Sequence, residues 1–198
     1  MPTVSTAAPA SLATASSFSG TIPGRIVAGL AATAAVALAA HVSFPLWFTP
    51  VPLTMQPLAV LGVGLALGPV DGSLAMLAYL AEGASGLPVF TPAGPGGLAQ
   101  LLGPSGGFLM SYPLVAMIAG GLTRTLSARA SRFTAALVAC ALAVVVLFAC
   151  GAAWFMQYTH HSLSATWIGA VAPFLPGEAV KVLAAAGIYS TLSRARRA

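Results

Sequence analysis

FTAALVACALAVVVLFACGAAWFMQY, residues 133–158, contains no Asp, Glu, Lys or Arg. As a helix it rises about 39 Å, at roughly 1.5 Å per residue. The hydrocarbon core of a bilayer is about 30 Å thick, so this stretch predicts a membrane-spanning helix. The same absence of charge extends on both sides. Residues 26–70, 72–81, 83–123 and 133–177 hold no charged side chain. The 198-residue chain is 58% hydrophobic and 6% charged, where a soluble domain carries about 25% charged residues. Mean hydropathy is +0.93. At about 20 apolar residues per span, the length accommodates about five to seven spans. The expected class is an all-α membrane protein with one compact membrane domain in the lipid bilayer and no separate soluble domain.

The spans read outward from this run. Span 1 covers about Arg25 to Trp47, and it carries small residues at four-residue spacing (Ala28/Ala32, Ala31/Ala35, Ala35/Ala39). Such spacing lets helices approach closely in lipid, although Ala-rich runs also produce it by chance. Pro45, Pro50, Pro52 and Pro57 rule out one uninterrupted helix beyond it, and Trp47 and Phe48 suit the membrane–water interface. Span 2 runs from about Thr54 to Leu67. A tight turn, GPVDG from Gly68 to Gly72, ends it, with Asp71 solvated in the turn. Span 3 covers about Ser73 to Glu82, and Glu82 borders the loop that follows. Residues 83–107 form a long Gly/Pro segment, too apolar for a solvated linker, which reads as a lid packed over the bundle. Span 4 covers about Phe108 to Leu126, span 5 Phe133 to Tyr158, and span 6 Trp167 to Leu192.

Six transmembrane helices place Arg25, the trio Arg124, Arg129 and Arg132, and the tail Arg194, Arg196 and Arg197 on one side. The positive-inside rule makes that side cytoplasmic. The expected organisation is a disordered cytoplasmic leader at 1–24, a single six-helix domain at 25–193 and a basic cytoplasmic tail at 194–198. The leader has no Lys or Arg before Arg25, so a secretory n-region is missing. Both termini then face the cytoplasm of a multi-pass protein, and the long loop between helices 3 and 4 is external.

The net charge of +5 does not indicate nucleic acid, because the Arg residues sit at loops and ends and no basic patch interleaves with aromatics. GxxxxGK[ST] is missing, so any ATP-driven work requires another subunit. GxSxG, HExxH and paired carboxylates are missing too, which argues against an enzyme. Cys140 and Cys150 lie about 15 Å apart on one helix, too far for a disulfide, and read as small buried hydrophobes. His160 and His161 are neighbours in a wet external turn without a third metal ligand. His41 satisfies a backbone carbonyl or faces the bundle.

The last span breaks the apolar rule inside PFLPGEAVKVLAAAGIY, residues 173–189. Glu178 and Lys181 lie three apart and share one helix face. A charge at mid-helix costs roughly 2.5–3.5 kcal/mol on insertion scales, so two of opposite sign indicate a buried polar site. Pro176 and Gly177 leave free N–H groups and a positive dipole end nearby. This set fits a pocket for a small polar-headed molecule beneath the lid. The other reading is an internal ion pair that pins span 6 to a neighbour. Buried pairs stabilise weakly, which favours the pocket.

Several segments are similar to the BioY family of biotin transporters. They are PVPLTMQ (50–56), ALGPVDGSLAMLAYL (66–80), GLPVF (86–90), LLGPSGGF (101–108) and PFLPGEAVK (173–181), in the family's order. The family comprises substrate-binding (S) components of energy-coupling-factor transporters. The resemblance implies six helices, an externally open biotin pocket gated by the loop between spans 3 and 4, and residence in the bacterial cytoplasmic membrane. It implies biotin as transported ligand and no cofactor, with a membrane coupling (T) component and two ABC ATPase subunits as partners. It carries substrate-binding roles to Glu178 and Lys181, with Gln56, Tyr79 and Gln100 as further candidates in matching segments. Glu178 would accept from ureido N–H groups. Lys181 would pair with the carboxylate or polarise the ureido carbonyl, while Tyr79, Phe90 and Phe108 wrap the apolar rings. The family more often has Asp where this chain has Glu178, and GPVDG departs from a usually basic form. A stand-alone secondary transporter, with Glu178 titrating, is the alternative function.

Overall fold

The computed structural model describes residues 21–195. Of the leader expected at 1–24 and the tail expected at 194–198, residues 1–20 and 196–198 lie outside the described residues, while 22–24 and 194–195 are helical rather than leader and tail. The chain is mostly helical. Helix α1 spans Ile22–His41. Strands β1 (Ser43–Leu46) and β2 (Thr49–Thr54) follow, then α2 (Gln56–Leu67) and α3 (Pro69–Ala84). A short helix α4 (Gly97–Leu101) precedes α5 (Gly106–Leu126) and α6 (Arg132–Thr159). Helix α7 (Leu163–Ala170), a 3-10 turn (Ala172–Phe174) and α8 (Leu175–Ala195) complete it.

Among the described residues, four segments are long and apolar enough to cross a membrane: Ile22–His41, Gly106–Leu126, Arg132–Thr159 and Leu163–Ala195 taken together. Helices α2 and α3 have 12 and 16 residues, so they rise only about 18 and 24 Å. Helix α5 lies centrally, packed on α2, α3 and α6, while α8 closes the bundle against α6 and α2. Outward side chains are apolar, among them Leu38, Val145 and Ile168, each more than 60% exposed. That arrangement suits hydrocarbon rather than water.

Several boundaries differ from the sequence reading. Span 1 stops at His41, not Trp47, because Ser43–Thr54 forms an antiparallel hairpin. Its register pairs Ser43 with Thr54 and Leu46 with Thr49, with an irregularity at Pro45, which has no N–H to donate to the ladder. Trp47 and Phe48 stack edge to face at the hairpin tip. His41 bonds to the Ala37 carbonyl through Nδ1 at 2.8 Å.

The expected turn GPVDG is a single-residue break. Gly68 adopts φ +86°, a backbone state that costs glycine nothing, and α3 begins at once with Pro69 in its first turn. Asp71 is therefore helical, and it pairs with Arg25 while 35% of its side-chain surface stays exposed. The 83–107 segment is not structureless, since it carries α4 and ends inside α5. The last expected span is broken at Val171–Phe174, where Pro173 cannot continue α7. His160, at φ 54°, stops α6 in the left-handed region.

The basic side chains tie helix ends together. Arg124 donates to the Leu67 carbonyl at 3.2 Å, at the end of α2. Arg132 donates to the Ser193 carbonyl at 2.9 Å, near the end of α8. Cations suit helix C-termini, where carbonyls lack intrahelical donors. With the Arg25–Asp71 pair, these bonds gather the start of α1, the α2–α3 break, the α5–α6 turn and the end of α8 at one end of the bundle.

Candidate functional site

A cavity opens at the other end of the bundle. The atoms around it leave about 550 Å³ of space, the open mouth included. Strand β2 forms one wall through Val51 and Leu53. Helix α5 contributes Phe108 and Tyr112, α6 contributes Phe148, and Phe174 and Glu178 close the side where the last span breaks. Polar groups enter from Gln56 at the start of α2 and from Thr91, Gln100 and Ser105 in the segment between α3 and α5.

Glu178 and Lys181 are each 5% exposed. Pro176 and Gly177 occupy the first turn of α8, a position where proline is tolerated because its missing N–H has no helical acceptor. One turn later the two charges meet. Lys181 Nζ donates to Glu178 Oε1 at 2.5 Å and to the Thr54 carbonyl at 2.6 Å. The Thr54 bond ties α8 to the end of the hairpin. Glu178 Oε2 is buried and has no hydrogen-bond partner, and Glu178 lines the cavity. An unpaired buried carboxylate oxygen costs a substantial desolvation penalty, which a ligand N–H would relieve. Lys181 does not line the cavity; it stands behind Glu178 and fixes its orientation.

The other candidates fall into two groups. Gln56 and Gln100 line the cavity. Gln100 Nε2 donates to Ser105 Oγ at 3.1 Å, and its Oε1 accepts from the Gly96 N–H at 3.4 Å. Tyr79 and Phe90 lie behind the wall. Gln56 Nε2 donates to the Tyr79 hydroxyl, which donates in turn to the Val89 carbonyl, both at 2.8 Å. Phe90 packs edge to face on Tyr79 at 5.5 Å between ring centroids and fills the space over Gly83. Together these contacts clamp the segment after α3 onto the helices. From the other side, Trp154 Nε1 donates to the Gly103 carbonyl at 2.8 Å. A Gly83→Val side chain would occupy the Phe90 ring position. The expected outcome is faster amide hydrogen exchange across residues 85–105, with exchange in α6 unchanged.

Sequence reasoning missed Tyr112, Thr91 and the hairpin wall. Tyr112 follows Phe108 by one helical turn, a spacing that places both on one face. In β2, Thr49 and Val51 are buried while Pro50 is exposed, a two-residue period hidden by the prolines.

A helical membrane protein whose bundle encloses a cavity with apolar walls, several amides and hydroxyls and one unsatisfied carboxylate oxygen belongs to the class that holds a small polar solute within its helices. The chain belongs to the BioY family, whose sequence model matches residues 12–198. It is 33% identical to the biotin transporter BioY of Rhizobium etli over 169 residues, which cover 81% of this chain and 88% of that protein. It is 34% identical over 143 residues to the probable biotin transporter BioY of Pyrococcus horikoshii, covering 72% and 81%. Among solved structures it is similar to the S-component for biotin from an ECF-type ABC transporter. The TM-score there is 0.78 at 26% identity, with 86% of this chain and 90% of that chain covered.

Proposed function

We propose that this chain captures biotin in the cavity beside Glu178 and works as the substrate-binding component of an energy-coupling-factor uptake transporter. The observation that carries this reading is the buried, unpartnered Oε2 of Glu178 at the cavity wall. The ureido ring of biotin offers two N–H donors, and a carboxylate oxygen held in place by a lysine suits them. The aromatic rings of Phe108, Tyr112, Phe148 and Phe174 suit the thioether ring. Gln100, Thr91 and Ser105 stand where a ureido carbonyl or a valerate carboxylate needs donors. Lys181 acts by positioning Glu178 and by its charge.

In this reading α1, α2, α3, α5, α6 and α8 are six membrane-crossing elements, the short α2 and α3 included. The end gathered by Arg25, Arg124 and Arg132 faces the cytoplasm, and the segment from 85 to 105 is an external gate. A membrane coupling component and two ATPases supply the energy, and α1 offers the exposed small residues Ala31 and Ala35 for helix contact. The test is biotin binding by the purified, detergent-solubilised protein, by calorimetry and by mass spectrometry of co-purifying small molecules. Saturable binding at one biotin per chain is the expected result. No heat, together with a different co-purifying solute, would replace biotin as the ligand.

The clamp gives a kinetic prediction. Tyr79→Phe removes the hydroxyl between Gln56 and Val89, leaving a buried N–H and a carbonyl without partners, at about 1–3 kcal/mol. Biotin is expected to dissociate faster, with association little changed. Stopped-flow measurement of both rates checks it, and a change confined to association would contradict the gate.

A further inference from the structure

Arg124 and Arg132 have no acidic partner among the described residues, where the ion pairs are Arg25–Asp71 and Lys181–Glu178. Each uses one N–H bond on a helix-end carbonyl, and a guanidinium carries five donors. Both line one open pocket with Leu65, Tyr189 and Leu192. From that pocket an apolar groove runs on between α2 and α8, sharing Leu65, Ala66, Tyr189 and Leu192 with it. The groove passes Leu58, Gly62 and Ala185 and holds about 420 Å³ of space, its open side included. A Cβ built on Gly62 meets nothing within 4 Å, so the groove is empty of protein there. No acidic residue lines either part.

We propose that this groove holds one anionic phospholipid, with its phosphate on Arg124 and Arg132 and an acyl chain along the α2–α8 seam. Three properties coincide here. The cations sit at a helix-end level, where a headgroup lies. Tyr189 stands at the junction of polar and apolar parts, the depth at which tyrosine is enriched. The apolar part continues from the cations toward the middle of the bundle, along the direction an acyl chain takes. Basic pockets between membrane helices are suited to such headgroups. The site is separate from the biotin cavity and does not depend on the biotin reading.

Native mass spectrometry of the detergent-purified chain, titrated with phosphatidylglycerol or phosphatidylcholine, tests the site. One phosphatidylglycerol is expected to bind in preference to phosphatidylcholine. At about 1 kcal/mol per cation, the double variant Arg124→Gln/Arg132→Gln is expected to bind it about 30-fold more weakly. Gly62→Leu fills the groove yet keeps both cations and a good helix former, and it is expected to weaken phosphatidylglycerol while the thermal midpoint holds. Equal retention of phosphatidylcholine overturns the proposal. So does displacement by inorganic phosphate with no effect of Gly62→Leu, which means a bare anion site. Gly62→Leu that leaves lipid binding intact but blocks assembly with another membrane subunit also overturns it, since the groove then receives a protein helix.

Discussion

Lys181→Met is expected to weaken biotin binding by about 10- to 100-fold. The ammonium meets Glu178 Oε1 at 2.5 Å and the Thr54 carbonyl at 2.6 Å, and both groups are buried. Removing one member of a buried pair costs about 3–5 kcal/mol, because the other charge is left uncompensated. That penalty falls on the fold; the affinity falls because the charged acceptor is lost, and a hydrogen bond to a charged group is worth about 1.5–3 kcal/mol, a factor of roughly 10 to 100. The carboxylate escapes the penalty by taking up a proton or turning away, and either change removes the acceptor offered to ureido N–H groups. Glu178→Gln is the companion variant. It keeps the shape and one carbonyl acceptor but leaves Lys181 without its counter-charge, so it too is expected to bind weakly. The double variant Glu178→Gln/Lys181→Met removes both charges, and its stability is expected to recover relative to either single variant while binding stays low. That separates folding from recognition. Calorimetry on monodisperse protein reads the affinity, and thermal unfolding reads the stability. Wild-type affinity in both single variants would remove the pair from the site.

Gly64→Val is expected to produce a large loss of stability away from the cavity. A Cβ on Gly64 would collide with the Ala116 backbone of α5, carbonyl oxygen included. The obstacle is main chain at the centre of the bundle, so no flexible side chain can yield. Gly72 on α3 also approaches Gly64, with a Cβ placed 3.2 Å from its Cα. Close backbone approach at small residues drives helix association in lipid, where burial of apolar groups supplies no gain over the acyl chains. Overpacking of this kind costs typically about 1–3 kcal/mol, and the valine adds two further methyl groups. The expected readout is a thermal midpoint lower by several degrees, at roughly 2–4 °C per kcal/mol for a chain of this size. Gly29→Val is the control, because a Cβ there meets nothing within 4 Å. Equal effects of the two substitutions would show that helix propensity, and not the α2–α5 approach, sets the cost.

The broken last span shows where linear reading loses its grip. Its hydropathy is continuous across Leu163–Ala195, so composition reads one helix. The break at Val171–Phe174 arises because Pro173 removes a donor and Phe174 turns inward to the cavity. The hairpin is similar: four prolines exclude a helix but do not say that Ser43–Thr54 folds back on itself. Tyr79 and Phe90 lay in segments singled out for ligand contact, yet neither lines the cavity, since Tyr79 packs behind Gln56 and Tyr112 and Phe90 packs on Tyr79.

What the amino-acid order determined alone is the solvent of this protein and the place of two opposite charges in its last span. Charge-free runs longer than a bilayer is thick leave no soluble alternative, and an acid and a base three residues apart on an apolar helix share one face, while the structure decided that they bond to each other. The family likeness was legible for the same reason, in short ordered segments that need no fold to be read. Tertiary structure alone decided which oxygen of Glu178 remains unpaired and which side chains reach the cavity. It also decided that two arginines distant in sequence stand over one groove. Those outcomes depend on how helices cross and how closely their backbones approach, and in lipid that is set by contacts between residues far apart in the chain.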